Sequence, residues 1–301
     1  MPLPTSSPET RPLDAALDRS AVERDGTDLL DTLRSAADTR VLAVRRDAAP
    51  VLDGRLHLLD VAGVGQPLAW AFLGRTSDGA ALLLAALDDD ADVDGMPDAV
   101  WTALRTGGGD LPVVEAEVFT TAVALAGWLR DAPFCPACGT LAEVRHAGWS
   151  RHCPSCGREH FPRTDPAVIV LVTSEDDRVL LGANAAWGGS RYSCFAGFAE
   201  AGESLEDAVE REVGEEAGVR LSGVVYRGSQ AWPYPRSLML GFRARVVDEA
   251  EARPDGEEIV EVRWFDREEI GSALRGEGPV QLPGPASIAR RLIDDWARGV
   301  A

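Results

Sequence analysis

One thirteen-residue stretch, LEDAVEREVGEEA from Leu205 to Ala217, constrains the fold of this chain more than any other. At about 100° per residue, Leu205, Ala208, Val209 and Val213 share one helical face, and Glu212, Glu215 and Glu216 fall within or beside it. A helix docks through its apolar stripe, and an unpaired carboxylate buried there costs several kcal/mol. The pattern predicts a docked helix whose glutamates gather around a cation of the kind that takes hard oxygen ligands, Mg²⁺ or Mn²⁺. The bland alternative is an acidic helix facing solvent, natural in a chain this acidic. Ser204 with Asp207 predicts the N-cap, Gly218 a left-handed stop, and Gly197 and Gly202 bracket a tight loop before the helix.

A second pattern is independent of the first. Cys135 and Cys138, then Cys153 and Cys156, form two CxxC knuckles with fourteen residues between them. Two thiolate pairs at this separation complete the closed four-sulfur tetrahedron that structural Zn²⁺ prefers. A disulfide framework and a redox dithiol are the competing readings; the first needs an oxidising compartment, the second only one CxxC. Four thiolates leave no vacancy for His146, His152 or His160, which take surface or packing roles. Cys194 stands apart and reads as a small buried hydrophobe. The loop between the knuckles, GTLAEVRHAGWSRH, holds two Arg and one Trp, too little basic surface for the ribbon alone to grip nucleic acid.

Length and composition set the frame. The 301 residues are 45% apolar and 26% charged, ordinary for a soluble protein of more than one domain. No run approaches eighteen apolar residues, and the start, MPLPTSSPETRPLD, lacks a basic n-region and an apolar core, so no membrane partner and a cytoplasmic address are expected. The net charge is −19, and every basic residue is Arg. Residues 1–134 carry 22 acidic groups against 11 Arg, and residues 163–301 carry 25 against 16. Such a surface disfavours long-range attraction of a nucleic-acid backbone and suits a small dianion better.

Along the chain, residues 1–12 read as disordered and 14–39 as polar helix. Short apolar runs follow (VLAVRRD, GRLHLLDV, LAWAFLGRT, AALLLAAL), the strands of an N-terminal α+β domain. The acidic DDDADVDGMPD lacks the twelfth-position Glu of a calcium loop and reads as a solvated turn before a helix around Trp101–Arg105. A helix from about Glu117 to Leu129 leads to the cysteines. From Pro166 come a strand (AVIVLVTS), a hairpin (VLLGAN), a loop, the glutamate helix, strands GVVYRGSQ, LMLGFRARVV and EIVEVRWFD, and helices around Arg267–Leu274 and Ala286–Arg298. Without a regular βαβ period this predicts an α+β chain with a mixed sheet flanked by helices. The expected domains are 1–134, 135–162 and 163–301.

The glutamate segment resembles the Nudix box in every defining position: Gly197, five residues, Glu203, seven residues, then Arg211-Glu212-Val213-Gly214-Glu215-Glu216-Ala217-Gly218-Val219. The resemblance implies a Nudix hydrolase with an α/β/α sandwich, which uses a metal-activated water to cleave a nucleoside diphosphate linked to another moiety. Ten residues further on, 229-SQAWPYPRS-237 is similar to the signature SQPWPFPxS of the NADH pyrophosphatase subgroup, with Ala231 for its first Pro and Tyr234 for its Phe. That subgroup also carries a zinc ribbon before the Nudix domain. By resemblance, the Ala196 carbonyl, Glu212, Glu215, Glu216 and Glu258 surround Mg²⁺ or Mn²⁺. Gln230, Ala231, Trp232, Pro233, Tyr234, Pro235, Arg236, Ser237 and Ala289 would meet the dinucleotide, with Phe161 an aromatic contact. The family's acidic contact in the ribbon has no counterpart, because Gly148 takes that place.

The implied activity is hydrolysis of NADH or NAD to nicotinamide mononucleotide and AMP, with removal of NAD caps from RNA 5′ ends, by a homodimer. ADP-ribose or a diadenosine polyphosphate as substrate, and a catalytically silent nucleotide sensor, are the alternatives. Intact box glutamates argue against the last. Which of Glu212, Glu215 and Glu216 is the general base differs among Nudix enzymes.

Overall fold

A computed structural model describes residue 13 and residues 15–96, 98–187 and 190–300. The expected disorder of residues 1–12 lies outside them. The chain divides into two compact units, one ending at Arg163 and the other starting at Thr164.

In the first unit, α1 (Leu29–Ser35) precedes β1 (Arg40–Arg45), β2 (Ala48–Leu52), β3 (Arg55–Leu56), β4 (Leu59–Asp60), β5 (Ala69–Arg75), β6 (Ala81–Leu87) and β7 (Val100–Ala103). They form one seven-stranded sheet in the order β3-β2-β1-β6-β5, with β4 beside β1 and β7 beside β2. Only β1 and β6 run parallel. The short α2 (Leu104–Gly107) leads to α3 (Val113–Asp131), which buries Val118, Phe119, Ala122, Leu125 and Leu129 against β6, β5 and β1.

Two expectations need correction here. The polar helix over 14–39 shrinks to α1 and a 3₁₀ turn, Ala21–Asp25, because the chain turns extended at Gly26. Around Trp101 the chain is strand, not helix, since Ala49, Pro50 and Val51 on β2 pair with Thr102, Trp101 and Val100. Cross-strand pairing overrides local helix preference there.

The cysteine segment folds as a three-stranded antiparallel sheet of β8 (Glu143–Arg145), β9 (Ser150–His152) and β10 (Glu159–His160). It is anchored on β5: Trp149 Nε1 donates to the Phe72 carbonyl at 2.7 Å, and Gly148 lies against Ala71. A Cβ on Gly148 would meet Ala71 Cβ at 2.3 Å and the Trp70 carbonyl at 2.9 Å, and its φ of +95° is one that side chains rarely adopt. Packing therefore dictates glycine where the resemblance led one to look for an acid.

The second unit is built on a six-stranded mixed sheet of β11 (Asp165–Thr173), β12 (Val179–Asn184), β13 (Phe195–Phe198), β14 (Leu221–Trp232), β15 (Ser237–Val246) and β16 (Ile259–Phe265). The order is β14-β15-β11-β12-β16 with β13 beside β11, and only β11 and β15 run parallel. Alternation along β11 sends Val168, Val170 and Val172 to one face and Ile169 and Leu171 to the other. The first face receives α4 (Leu205–Ala217) through Ala208, Val209 and Val213. The other receives α5 (Arg267–Leu274) and α6 (Ile288–Ala297) through Ile270, Leu292, Ile293 and Trp296. The result is the expected sandwich of helices about a mixed sheet. β13, expected as loop, is a strand, and SQAWPYPRS is the end of β14, a turn and the first residue of β15.

The tight seat of Gly148 makes a stability prediction. Gly148→Ala is expected to cost about 2–4 kcal/mol from left-handed strain and overpacking. Gly139→Ala, at φ +74° but facing open space, is expected to cost only about 1–2 kcal/mol. Urea denaturation of both variants checks this, and equal costs would refute the packing argument.

Candidate active site and metal centres

The glutamate helix is held as its residues dictate. Ser204 Oγ accepts the Asp207 N–H at 3.1 Å, and Gly218 closes α4 in the left-handed conformation at φ 67°. Glu216 faces the sheet at 6% exposure. Its Oε2 accepts the Ala196 N–H of β13 at 3.2 Å, and no basic side chain among the described residues meets it. Burial, and then the neighbouring charge of Glu258, push its carboxyl up to about 8, with Glu212 and Asp255 adding to the effect and the Ala196 N–H opposing it.

Glu212 lies directly over Gly197, where a Cβ would come within 2.0 Å of its carboxyl carbon. Glycine is the only residue that fits. Arg211 supplies a cation from within the helix: Nη1 reaches Glu212 at 2.8 Å and Glu215 at 3.2 Å. Its Nε and Nη2 form a fork on Glu203 at 2.8 and 2.9 Å, and Nη2 also donates to the Phe198 carbonyl. That fork holds the Glu203 carboxyl down at about 2. Glu215 is 62% exposed by side chain, at the edge of the stripe rather than inside it.

Glu258 is exposed on the loop before β16. Its Oε1 accepts from Asn184 Nδ2 at 3.2 Å. Asp255 shapes that loop, accepting the Glu257, Glu258 and Ile259 N–H groups at 3.2, 3.2 and 2.8 Å. Sequence reasoning passed over both Asn184 and Asp255. The Asp-Gly turn signal pointed to the second, but nothing local marked the first.

The structure thus brings Glu216, Glu212 and Glu258 into one electrostatic neighbourhood beside Ala196, with Glu215 at its margin. The carboxylates form an open fan. Among the described residues the four cysteines are the one group of three or more Cys, His or acidic residues with ligand atoms all within 4.8 Å. The donor set of the fan is all hard oxygen, and a buried carboxylate lacking a countercharge suits a divalent cation that keeps water and takes phosphate oxygens.

In the ribbon, Cys135 and Cys156 Sγ lie 3.6 Å apart, and Cys138 and Cys153 Sγ 3.5 Å apart. Zn–S bonds of about 2.3 Å would put tetrahedral sulfurs about 3.8 Å from one another. The cluster fits a structural zinc, and all four thiols are free of disulfide. His160 Nε2 stands 3.1 Å from Cys135 Sγ, within hydrogen-bond reach of a cluster sulfur. That is a supporting role the sequence reading missed.

The remaining expected residues fall in three places. Trp232 and Tyr234 make an edge-to-face pair with centroids 5.1 Å apart, Ala231 and Trp232 at the end of β14 and Pro233, Tyr234 and Pro235 in the turn that follows. Arg236 pairs with Asp165 at 2.8 Å, and Ser237 is buried. Gln230 spends its amide on α6, donating to the Ala286 carbonyl and accepting the Ile288 N–H, both at 2.7 Å. Ala289 is buried on α6. Phe161 is half exposed on the first unit.

A sheet sandwiched by helices, with a glutamate fan on one helix, is the arrangement of Nudix domains. The NUDIX domain family model matches residues 163–282, and the NADH pyrophosphatase zinc ribbon domain model matches residues 130–161. The NAD-capped RNA hydrolase NudC of Mycobacterium tuberculosis (strain H37Rv) is 40% identical over 264 residues, covering 84% of this chain and 83% of that protein. NudC of Stutzerimonas stutzeri is 38% identical over 220 residues, covering 72% and 74%. The chain belongs to the NudC family of Nudix hydrolases. No helix of the described residues is long and apolar enough to cross a membrane.

The zinc site and the buried glutamate each make a prediction. Cys138→Ser is expected to lose zinc and destabilise the first unit by several kcal/mol, since metal binding at such sites is folding free energy; elemental analysis and thermal melts read both, and undiminished zinc would refute it. The second concerns pH. Glu216 is protonated in both folded and unfolded states well below pH 4.5, so burial costs nothing there. As pH rises from the unfolded value toward the folded value of about 8, metal-free native protein loses stability relative to the unfolded chain. Glu216→Gln is therefore expected to melt above wild type at pH 8, by on the order of 1–4 kcal/mol, with the difference vanishing towards pH 4.5. Added Mg²⁺ is expected to stabilise wild type but not the variant. A difference independent of pH would contradict the buried charge.

Proposed function

We propose that the protein hydrolyses the pyrophosphate bond of NADH and NAD, giving nicotinamide mononucleotide and AMP, and removes the same group from NAD-capped RNA 5′ ends. The observation that carries this reading is Glu216, a buried carboxylate with acidic neighbours and no cation of its own, in a chain 40% identical to NudC hydrolases. Glu212, Glu215, Glu216, Glu258 and the Ala196 carbonyl would hold Mg²⁺ or Mn²⁺, with Arg211 steering Glu212. When bound, the metal neutralises the pyrophosphate oxygens and acidifies a water.

The reaction adds water across one P–O–P bridge: the water oxygen bonds to one phosphorus, the bridging bond breaks, and a proton is released. What this chain must do is hold the dinucleotide in line for that attack. Trp232 and Tyr234 give a ring surface on which a base stacks for about 1–3 kcal/mol, and Ala289 and Phe161 are further contacts by family resemblance. We assign a homodimer on family resemblance.

Chromatography of the protein incubated with NADH, NAD or ADP-ribose and Mg²⁺ tests the reading. Nicotinamide mononucleotide and AMP are expected from NADH, and Glu216→Gln is expected to keep less than about a tenth of the rate, a barrier change of at least 1.4 kcal/mol. No turnover under any divalent metal would sink the proposal. On RNA, with 25 acidic residues against 16 Arg over 163–301, little gain beyond the first nucleotides is expected. Turnover that climbs with RNA length and collapses in high salt would overturn that.

A further inference from the structure

Family resemblance put Gln230 among the groups that touch the dinucleotide, yet its side chain is already committed. Its Nε2 donates to the Ala286 carbonyl and its Oε1 accepts the Ile288 N–H, each at 2.7 Å, bridging more than fifty residues of sequence. An amide engaged at both ends is fixed in place and in orientation.

The surroundings are built for the same approach. Gly228 on β14 and Gly241 on β15 are register partners. A Cβ on Gly241 would lie 2.8 Å from Ile288 Cδ1, and one on Gly228 2.8 Å from Arg291 Nη2. Two bare positions side by side thus let the first turn of α6 sit down on the strands. Ser287 completes the junction, its Oγ accepting the Arg290 N–H at 3.2 Å and donating to the Gly284 carbonyl at 2.9 Å. Gln230 also lies two residues before Trp232 in an unbroken stretch of register, so the two side chains share one face of β14.

We propose that Gln230 is a positioning residue that ties the start of α6 to β14, so that Trp232, Tyr234 and Ala289 form one preorganised wall for the dinucleotide. This rests on the function proposed above. It deepens that function by making Gln230 a brace behind the substrate wall instead of a substrate contact. Affinity comes from the wall, and Gln230 reduces the ordering that binding would otherwise require.

The test compares wild type with Gln230→Ala and Gln230→Glu, using backbone amide exchange and calorimetric titration with NADH and with ADP-ribose, without added divalent metal so that neither ligand is consumed. Gln230→Ala is expected to speed exchange at Ile288 and to weaken both ligands alike, by roughly tenfold, the worth of two ordinary hydrogen bonds. Gln230→Glu keeps the acceptor for Ile288 and is expected to retain its protection and to bind with intermediate affinity. Combined with Ser287→Ala, the Gln230→Ala loss is expected to be less than additive, since both changes release the same turn. Unchanged Ile288 exchange with weakened binding would make Gln230 a direct contact and overturn the inference. So would faster exchange with unchanged affinity, loss for NADH alone, or a Glu variant no better than the Ala variant. Should wild type bind neither ligand without metal, the exchange data at Ile288 alone decide whether the clamp exists, and the turnover test above decides the proposed function.

Discussion

A carboxylate buried against a sheet without a countercharge is the constraint around which the second unit is organised. Glu216 docks α4 within the stripe formed by Ala208, Val209 and Val213, so the helix cannot pack without taking the acid inside. Desolvation and the field of Glu258 then oppose its charge, and a single backbone N–H from Ala196 is too little to offset them. An interior acid of this kind weakens a fold unless something is gained elsewhere. Here it leaves like-charged oxygens close to one another, a donor chemistry that suits a divalent cation.

The glutamates around it are sorted by Arg211. A guanidinium offers a planar fork and further N–H groups in fixed directions, which is why one side chain grips Glu203 bidentately and still reaches Glu212, Glu215 and the Phe198 carbonyl. A lysine could not make that set of bonds. Through Phe198 the helix is tied to β13, and Gly197 leaves the space that Glu212 fills. Two residues of the loop and strand thus set the position of two residues of the helix, and the electrostatics of the fan follow from geometry as small as one missing Cβ.

The opposite face of the same sheet answers a different need. There α6 approaches β14 and β15 over Gly228 and Gly241, and the Gln230 amide closes the contact. The glutamate helix on one face and α6 on the other are thereby held by one sheet, which fixes the residues of both.

Local chemistry, which a sequence states outright, determined much of this protein: the α4 boundaries through Ser204 and Gly218, the four-sulfur cluster through two CxxC knuckles, and the burial of Glu216 through helical periodicity. Each depends on residues close in the chain or on a spacing that geometry makes obligatory. What only the tertiary structure decided depends on partners far away. β13 was invisible because its few residues acquire strand character by pairing with β11, and Trp101 entered a strand because β2 lay alongside. Glu215 differed from Glu216 in exposure although periodicity put both by the same stripe, because Glu216 turns in to the Ala196 N–H of β13 while Glu215 turns out to Arg211. Gly148 could be read only as a missing acid until Ala71 showed why no side chain fits. Gln230 read as part of a signature loop, and its bonds to residues 286 and 288 existed in no pattern, since a hydrogen bond across fifty residues is made by the fold and not by the order of the chain.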